Sequence, residues 1–306
     1  MRASVLIPAF NAAHTLHGAI ASVADQGLDD IEICVVDDGS TDATLAIAQD
    51  HGARVFSTGG RRGPGAARNL GLQHARGDWI AVLDADDRFL PERLSDLIRI
   101  ADHNACDIVC DNLWVQEDIR KQNYKLHIDE RLDGRLTHIS FVDFFTENMM
   151  FGRRAPLGYL KPVFNRAFIE KVGVSYPEEM PIGEDFGFVA HLLARGAVFL
   201  RQQCAGYVYS RHQGSTSYRI TPEKIDAMID FDDRFLAQYR SVLTNLEREC
   251  VLAHRRALER GRIFTQALNC AKSGNYLSAG TQMLLNPDCW ALLRLPLQGR
   301  LLRKDF

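Results

Sequence analysis

Residues 80–91 read IAVLDADDRFLP, an apolar run followed at once by three carboxylates, Asp84, Asp86 and Asp87. Two unit charges about 4 Å apart repel by roughly 4 kcal/mol at an effective dielectric of about 20. A fold that gathers these side chains must therefore compensate them. Two means are open: a solvated loop can splay the carboxylates into water, or a divalent cation can draw oxygen ligands from them while bridging to substrate phosphates. The place of the cluster after a strand-like run brings the cation reading level with the solvated loop, because open α/β sheets bind ligands beyond the carboxyl ends of their strands.

The flanking sequence has the rhythm of such a sheet. SVLIPAF, IEICVVDD, RVFS, DWIAVLD and DIVC alternate with AAHTLHGAIASVADQ, STDATLAIAQDHG, AARNLGLQHARG and PERLSDLIRIADHN. Apolar β-branched runs separated by helix-period segments argue for a mostly parallel sheet covered by helices on both faces. Leu16, Ile20, Val23 and Ala24 share one helical face, and Ser40 is placed to cap a helix starting near Thr41. Gly52 and Gly77 read as helix stops, and Pro91 suits the first turn of the next helix. From about residue 114 to 217 the alternation gives way to aromatics and glycines, as in a region that shapes a pocket. From Thr221 onward the pattern is helical, with Leu246, Cys250, Ala253, Ala257, Phe264, Ala267 and Ala271 recurring at three- and four-residue steps. The expected division is 1–115, 116–220 and a helical C-terminal extension over 221–306.

Composition narrows the classes. Of the 306 residues, 46% are hydrophobic and 25% charged, and the net charge of −3 implies no basic face for nucleic acid. The seven cysteines show no repeated pair spacing and read as reduced thiols of a cytosolic protein, the Cys106/Cys110 pair being strand residues rather than zinc ligands. MRASVLIPAF has too short an apolar core for a signal peptide, and no run approaches the eighteen or so apolar residues of a membrane span. A cytoplasmic location follows as the expectation. Residues 290–304, WALLRLPLQGRLLRK, mix leucines with Arg294, Arg300, Arg303 and Lys304; they either pack on the rest of the chain or lie at an anionic membrane surface.

More groups with chemistry fall at strand ends. Pro8, Ala9, Phe10 and Asn11 follow the first strand, and Asp37 and Asp38 the second. Asp37–Asp38 before Gly39–Ser40 can be a turn and cap alone, or can accept from a base imide or ribose hydroxyl. The loop GGRRGPGAARN brings Arg61, Arg62 and Arg68 but lacks the G-x-G-x-x-G and P-loop patterns, which disfavours a dinucleotide dehydrogenase and a P-loop NTPase. Glu184 and Asp185 in GED favour a helix N-terminus, or serve as acid–base groups.

These segments together resemble the family 2 glycosyltransferases, which have the GT-A fold. SVLIPAFN, EICVVDDGSTDAT and GPGAARNLGLQHARGDWIAVLDADD agree in order over residues 3–115, and GEDFGFVAHLLARGAVF and YVYSRHQGSTS resume the likeness. The stretch FFTENMMFGRRAPLGYLKPVFNRAFIE, taken with these, is similar to bacterial exopolysaccharide glucosyltransferases of the succinoglycan type.

The resemblance implies an inverting transfer of a hexose, glucose from UDP-glucose, to a growing, lipid-linked oligosaccharide. It implies that Pro8, Ala9, Phe10, Asn11 and Asp38 bind the base and ribose, with Arg68 and Arg211 near base or diphosphate and Ala85 within the donor site. Asp84 and Asp86 would match the D-x-D that holds Mg2+ or Mn2+, joined by His212. Asp185 would be the base, with Glu184 its alternate or positioner. Asp87 would be a supporting neighbour. The Q-x-x-R-W of processive synthases is absent, which favours one sugar per acceptor. Two rivals remain at this level: a sugar-phosphate nucleotidyltransferase, disfavoured by PAFNAAHTL where that class carries a Gly-rich loop, and a non-catalytic nucleotide-sugar-binding module.

Overall fold

The structure, a computed structural model, describes residues 1–116, 123–152, 154–211 and 220–293. Its sheet is built on β1 (Ala3–Ala9), whose residues ASVLIPA are buried at six of seven positions. A continuous apolar run is what a parallel strand needs when helices cover both faces. β1 pairs in parallel with β2 (Ile31–Asp37) from Ala3↔Ile31 to Ala9↔Asp37, and with β4 (Trp79–Val82) from Ala3↔Trp79 to Leu6↔Val82. These registers bring the ends of β1, β2 and β4 to one edge.

The full order adds β3 (Arg54–Ser57) outside β2, and beyond β4 the strands β9 (Val163–Asn165), β6 (Ile108–Gln116), β10 (Phe199–Ser210) and β5 (Arg88–Phe89). β9 runs antiparallel between β4 and β6, while β6 and β10 are parallel again. The short β5, which follows the acidic cluster, pairs with β10 through Tyr207↔Phe89 and Val208↔Arg88. That pairing ties the cluster's loop to a strand far away in sequence. β7 (Tyr124–Leu126) and β8 (Leu136–His138) extend β6 and β10.

Helices α1 (Leu16–Ala21), α2 (Thr44–Asp50), α3 (Pro64–His74) and α4 (Arg93–Asn104) alternate with the first strands, as the pattern predicts. Several local expectations need correction. α2 starts at Thr44 rather than Thr41; Ser40 Oγ instead accepts from the Asn11 amide, and Asp42 accepts from the Thr44 amide. Ala24 is exposed, beyond the end of α1, whereas Leu16, Ile20 and Val23 are buried. Gly77 stops no helix; its amide donates to Ser4 Oγ at 2.8 Å. Pro91 stands two residues before α4, with Glu92 between them at φ +62°.

The stretch that lacks a sequence period is not irregular. It holds α5 (Phe141–Glu147), a short 3-10 helix (Leu157–Tyr159), α6 (Arg166–Val172) and α7 (Glu184–Ala194), besides β9 and β10. Most of these are three to seven residues long, too short to repeat a period. Aromatic packing seats α7: Phe186 stacks on Phe144 of α5 at 5.3 Å, and Phe188 on Tyr176 at 4.0 Å.

The C-terminal part is helical as expected, in α8 (Pro222–Gln238), α9 (Asn245–Lys272) and α10 (Tyr276–Leu285). The inward stripe of α9 is Val251, His254, Ala257, Leu258, Gly261, Phe264 and Ala267. Leu246, expected on that face, is 64% exposed. One hydrophobic cluster runs from Ala3 to Val251, so sheet and extension share a core. Among the described residues no helix is long and apolar enough to cross a membrane.

Candidate active site

Two groups of side chains stand at the carboxyl edge of the parallel strands. The first surrounds the loop after β3. The Asp38 carboxylate, buried at the end of β2, accepts from the amides of Arg62 and Gly63, both at 2.8 Å, and from Thr58 Oγ1 at 2.9 Å. Asp38 thus shapes the Gly-rich loop that leads into α3. Asp37 is the turn residue, accepting from the Ser40 amide at 3.1 Å. Asn11, at φ +49°, accepts from the Thr41 amide, and Arg61 lies over the Phe10 ring at 4.2 Å. Pro8 is part-buried and Ala9 buried, its carbonyl taking the Asp38 amide.

The second group is a buried ion network. Arg68, on α3, reaches Asp84 at 2.9 Å, Glu184, and Asp185 at 3.5 Å. Lys161 Nζ lies 2.8 Å from both Asp84 Oδ2 and Asp185 Oδ2. Three carboxylates therefore share two cations in a region where burial weakens water's help. Burial works against the Asp84 carboxylate, but Lys161 and then Arg68 outweigh it and hold its pKa well below the usual range. Lys161 is desolvated too, yet Asp185 and Asp84 keep its ammonium charged well above its ordinary pKa. Glu184 goes the other way: burial raises it, Arg68 opposes only in part, and Asp185 adds to the rise.

Local sequence explains why α7 delivers these acids. Gly183 precedes the helix at φ +80°, a left-handed conformation that favours glycine, and Glu184 and Asp185 occupy the first turn, where the helix dipole favours anions.

The acidic loop after β4 divides its residues. Asp87 is buried: Oδ2 accepts from the Tyr207 hydroxyl at 2.6 Å and Oδ1 from the Ser210 amide at 2.7 Å. The Tyr207 oxygen in turn accepts from the Asp84 amide at 3.2 Å. Asp87 is a buttress, and its carboxyl pKa is pushed far up, first by burial and then by the charges of Asp86 and Asp84. Ala85 is buried between them and Asp86 is half-buried.

Among the described residues no group of three or more His, Cys, Asp and Glu is poised to hold a metal. The chemistry fits a sparser arrangement. Asp84, Asp86 and Asp87 stand together on one short loop, and Mg2+ or Mn2+ needs only one or two carboxylates when substrate phosphates supply the remaining oxygens. Asp84 already gives one oxygen to each cation, which leaves Asp86 as the residue that would hold such an ion. His212, the third expected ligand, lies outside the described residues; Arg211 is exposed at the end of β10, its amide donating to the Gln116 carbonyl.

Comparison with known proteins gives the family of the chain. Residues 4–160 match the family model described as Glycosyl transferase family 2. The chain is 34% identical over 301 residues, 97% of its length and 85% of the relative's, to the succinoglycan biosynthesis protein ExoO of Rhizobium meliloti. The chain belongs to glycosyl transferase family 2. The succinoglycan biosynthesis protein ExoU of the same organism is 35% identical over 210 residues, 66% of this chain and 60% of that one. The S. aureus TarS fragment 1–349 in complex with UDP-GlcNAc has the same fold, with a TM-score of 0.64 at 18% identity over 92% of this chain and 90% of that one. The mannosyltransferase PcManGT from Pyrobaculum calidifontis, in complex with GDP-Man and Mn2+, scores 0.61 at 16% identity over 98% and 80%.

The protein is thus a glycosyltransferase with the GT-A fold. The structure of this glycosyltransferase brings together Arg68, Asp84, Glu184 and Asp185 from the sequence reading, and leaves Pro8, Ala9, Phe10, Asn11 and Asp38 in the separate loop group. It adds two residues that sequence reasoning missed. Lys161 had a signal: a lysine inside the apolar run YLKPVF, where a buried ammonium requires partners. Tyr207 had none, since the sequence does not show that β10 crosses beside the acidic loop.

Proposed function

We propose that this glycosyltransferase is an inverting, metal-dependent hexosyltransferase that takes glucose from UDP-glucose and adds it to a growing, lipid-linked oligosaccharide in exopolysaccharide synthesis. The observation that carries this reading is the position of Asp185, in one ion network with Arg68 and Asp84 at the strand ends. In the reaction, an acceptor hydroxyl oxygen forms a bond to the anomeric carbon from the face opposite the diphosphate. The bond from that carbon to the diphosphate oxygen breaks, and its electron pair leaves with UDP. The hydroxyl proton passes to Asp185. A carboxylate is a weak base, so the transfer accompanies attack. Glu184, next to it and paired with Arg68, positions that base.

Pro8, Ala9, Phe10, Asn11 and Asp38 form the side that receives uridine, with Arg68, Asp84, Ala85 and Arg211 toward the sugar diphosphate. Asp86 would hold Mg2+ or Mn2+, which when bound offsets charge on the departing diphosphate. In this reading residues 1–115 serve the donor, 116–220 the acceptor and base, and 221–306 the extension. The extension touches the inner face of the membrane through residues 290–304, of which 294–304 lie outside the described residues; the exposed Tyr276, Leu277, Leu284 and Leu285 of the preceding α10 support that contact.

The test is a screen of nucleotide sugars for metal-dependent release of free nucleotide, which needs no acceptor. UDP release from UDP-glucose with Mn2+ or Mg2+ is expected, and Asp185→Asn should cut turnover by about 100- to 10,000-fold while calorimetry still finds donor binding. Turnover in Asp185→Asn at the wild-type rate would remove Asp185 from its role.

A further inference from the structure

The acceptor side of the site carries one side chain that neither the motifs nor the ion network use. Tyr159 is 43% exposed at the end of the 3-10 helix, and its neighbours on either side are not: Leu157 and Leu160 are almost wholly buried, and Lys161 enters the ion network. Two residues span at most about 7 Å of chain, so the tyrosine stands close to the lysine that grips Asp185.

Its backbone is held firmly. The Gly158 amide donates to Asn148 Oδ1 at 2.7 Å. A Cβ on Gly158 would stand 2.8 Å from that oxygen and 3.2 Å from Phe186 Cβ, so the turn is pressed against the residue that follows Asp185. The ring rests beside His127 at 5.6 Å, and His127 Nε2 is in turn 2.9 Å from the Pro156 carbonyl. The phenol's pKa is raised, by burial and then by Tyr209, with Arg211 and Lys161 opposing and Glu184 adding to the rise.

An exposed aromatic fixed on both sides of its chain offers a large, rigid contact area at little entropic cost, since tyrosine has only two side-chain torsions. Solvent exposure in a surface loop would not need this anchoring. A sugar whose hydroxyls are equatorial presents axial C–H bonds on both faces, an apolar surface that matches an aromatic ring. We propose that Tyr159 is the platform on which the acceptor's terminal hexopyranose, of the gluco configuration, stacks while its hydroxyl meets Asp185. The inference rests on the glycosyltransferase reading above and names the acceptor's chemistry.

Cellobiose is the probe, because its rings have this configuration. In saturation-transfer NMR, its axial ring protons should receive saturation from the wild-type protein, lose it in Tyr159→Ala, and regain it in Tyr159→Phe and Tyr159→Trp. With UDP-glucose as donor, Tyr159→Ala should raise the cellobiose KM about tenfold relative to wild type, with acceptor-independent UDP release measured alongside as the reference. Saturation unchanged in Tyr159→Ala, or lost equally in Tyr159→Phe, overturns the platform. If saturation follows the ring but no UDP is released from UDP-glucose, the platform stands and the donor assignment falls.

Discussion

At the scale of single residues, the ion network is the feature that the chemistry must work through. Asp185 is held between Lys161 at 2.8 Å and Arg68 at 3.5 Å, so its placement depends on both cations. Removing the ammonium in Lys161→Met leaves Asp84, Glu184 and Asp185 to share Arg68 alone, and kcat for nucleotide release should fall by roughly ten- to a hundredfold. Lys161→Arg should restore only part of that, because a planar guanidinium fork does not replace a compact ammonium set 2.8 Å from two different carboxylates. Steady-state kinetics on the two variants checks this, and a kcat for Lys161→Met within twofold of wild type would show the lysine to be a bystander. The acids and Arg68 were legible in the sequence because each sits in a short motif. Lys161 sits in none, and its meaning comes from partners brought to it by β9 and α7.

At the scale of elements, α7 carries the site from its first turn and the coupling to the extension from its last. His191, near its end, has its Nδ1 2.9 Å from the Tyr239 hydroxyl at the end of α8. Burial lowers its pKa to about 4, Glu179 opposing and Arg195 adding to the fall. In an unfolded chain the imidazole titrates near 6.5. Between these values the unfolded state binds a proton that the folded state refuses, so stability is full above pH 6.5 and declines as pH falls toward 4. The slope approaches at most about 1.4 kcal/mol per pH unit. Denaturant midpoints from pH 7 to 4 should fall less steeply in His191→Gln than in wild type; parallel curves would place the acid sensitivity elsewhere. The alternating elements of the first third were readable because each is long enough to show its period. Those between β6 and α8 were not, because pieces such as β9, with three residues, take their structure from the strands on both sides.

At the scale of the whole molecule, the C-terminal helices buttress α7 rather than hang from it. His254 of α9 lies wholly inside, stacked on Phe186 at 4.8 Å, with its Nδ1 2.7 Å from Asp232 Oδ2 of α8. Asp232 is fully buried and its other oxygen has no hydrogen-bond partner among the described residues. Burial raises its pKa, with the imidazole opposing. Breaking such a pair strands a carboxylate in the interior, and His254→Ala should cost about 3–5 kcal/mol in chemical denaturation. A loss under 1 kcal/mol would mean that the pair contributes little and that aromatic packing alone joins the extension to the site.

What the sequence determined by itself is the part of the protein written in local codes. Apolar runs set the parallel strands, and the acids and glycines at their ends mark the edge of the candidate site, because strand burial and turn chemistry depend on neighbours within a few residues. What only the tertiary structure decided is how those charges are spent. Asp84 faces two cations, Asp87 braces Tyr207 and Ser210, and Asp38 organises a loop. Each of these depends on a partner tens of residues away. Compensating a buried charge is a matter of distance in space, which spacing along the chain does not encode.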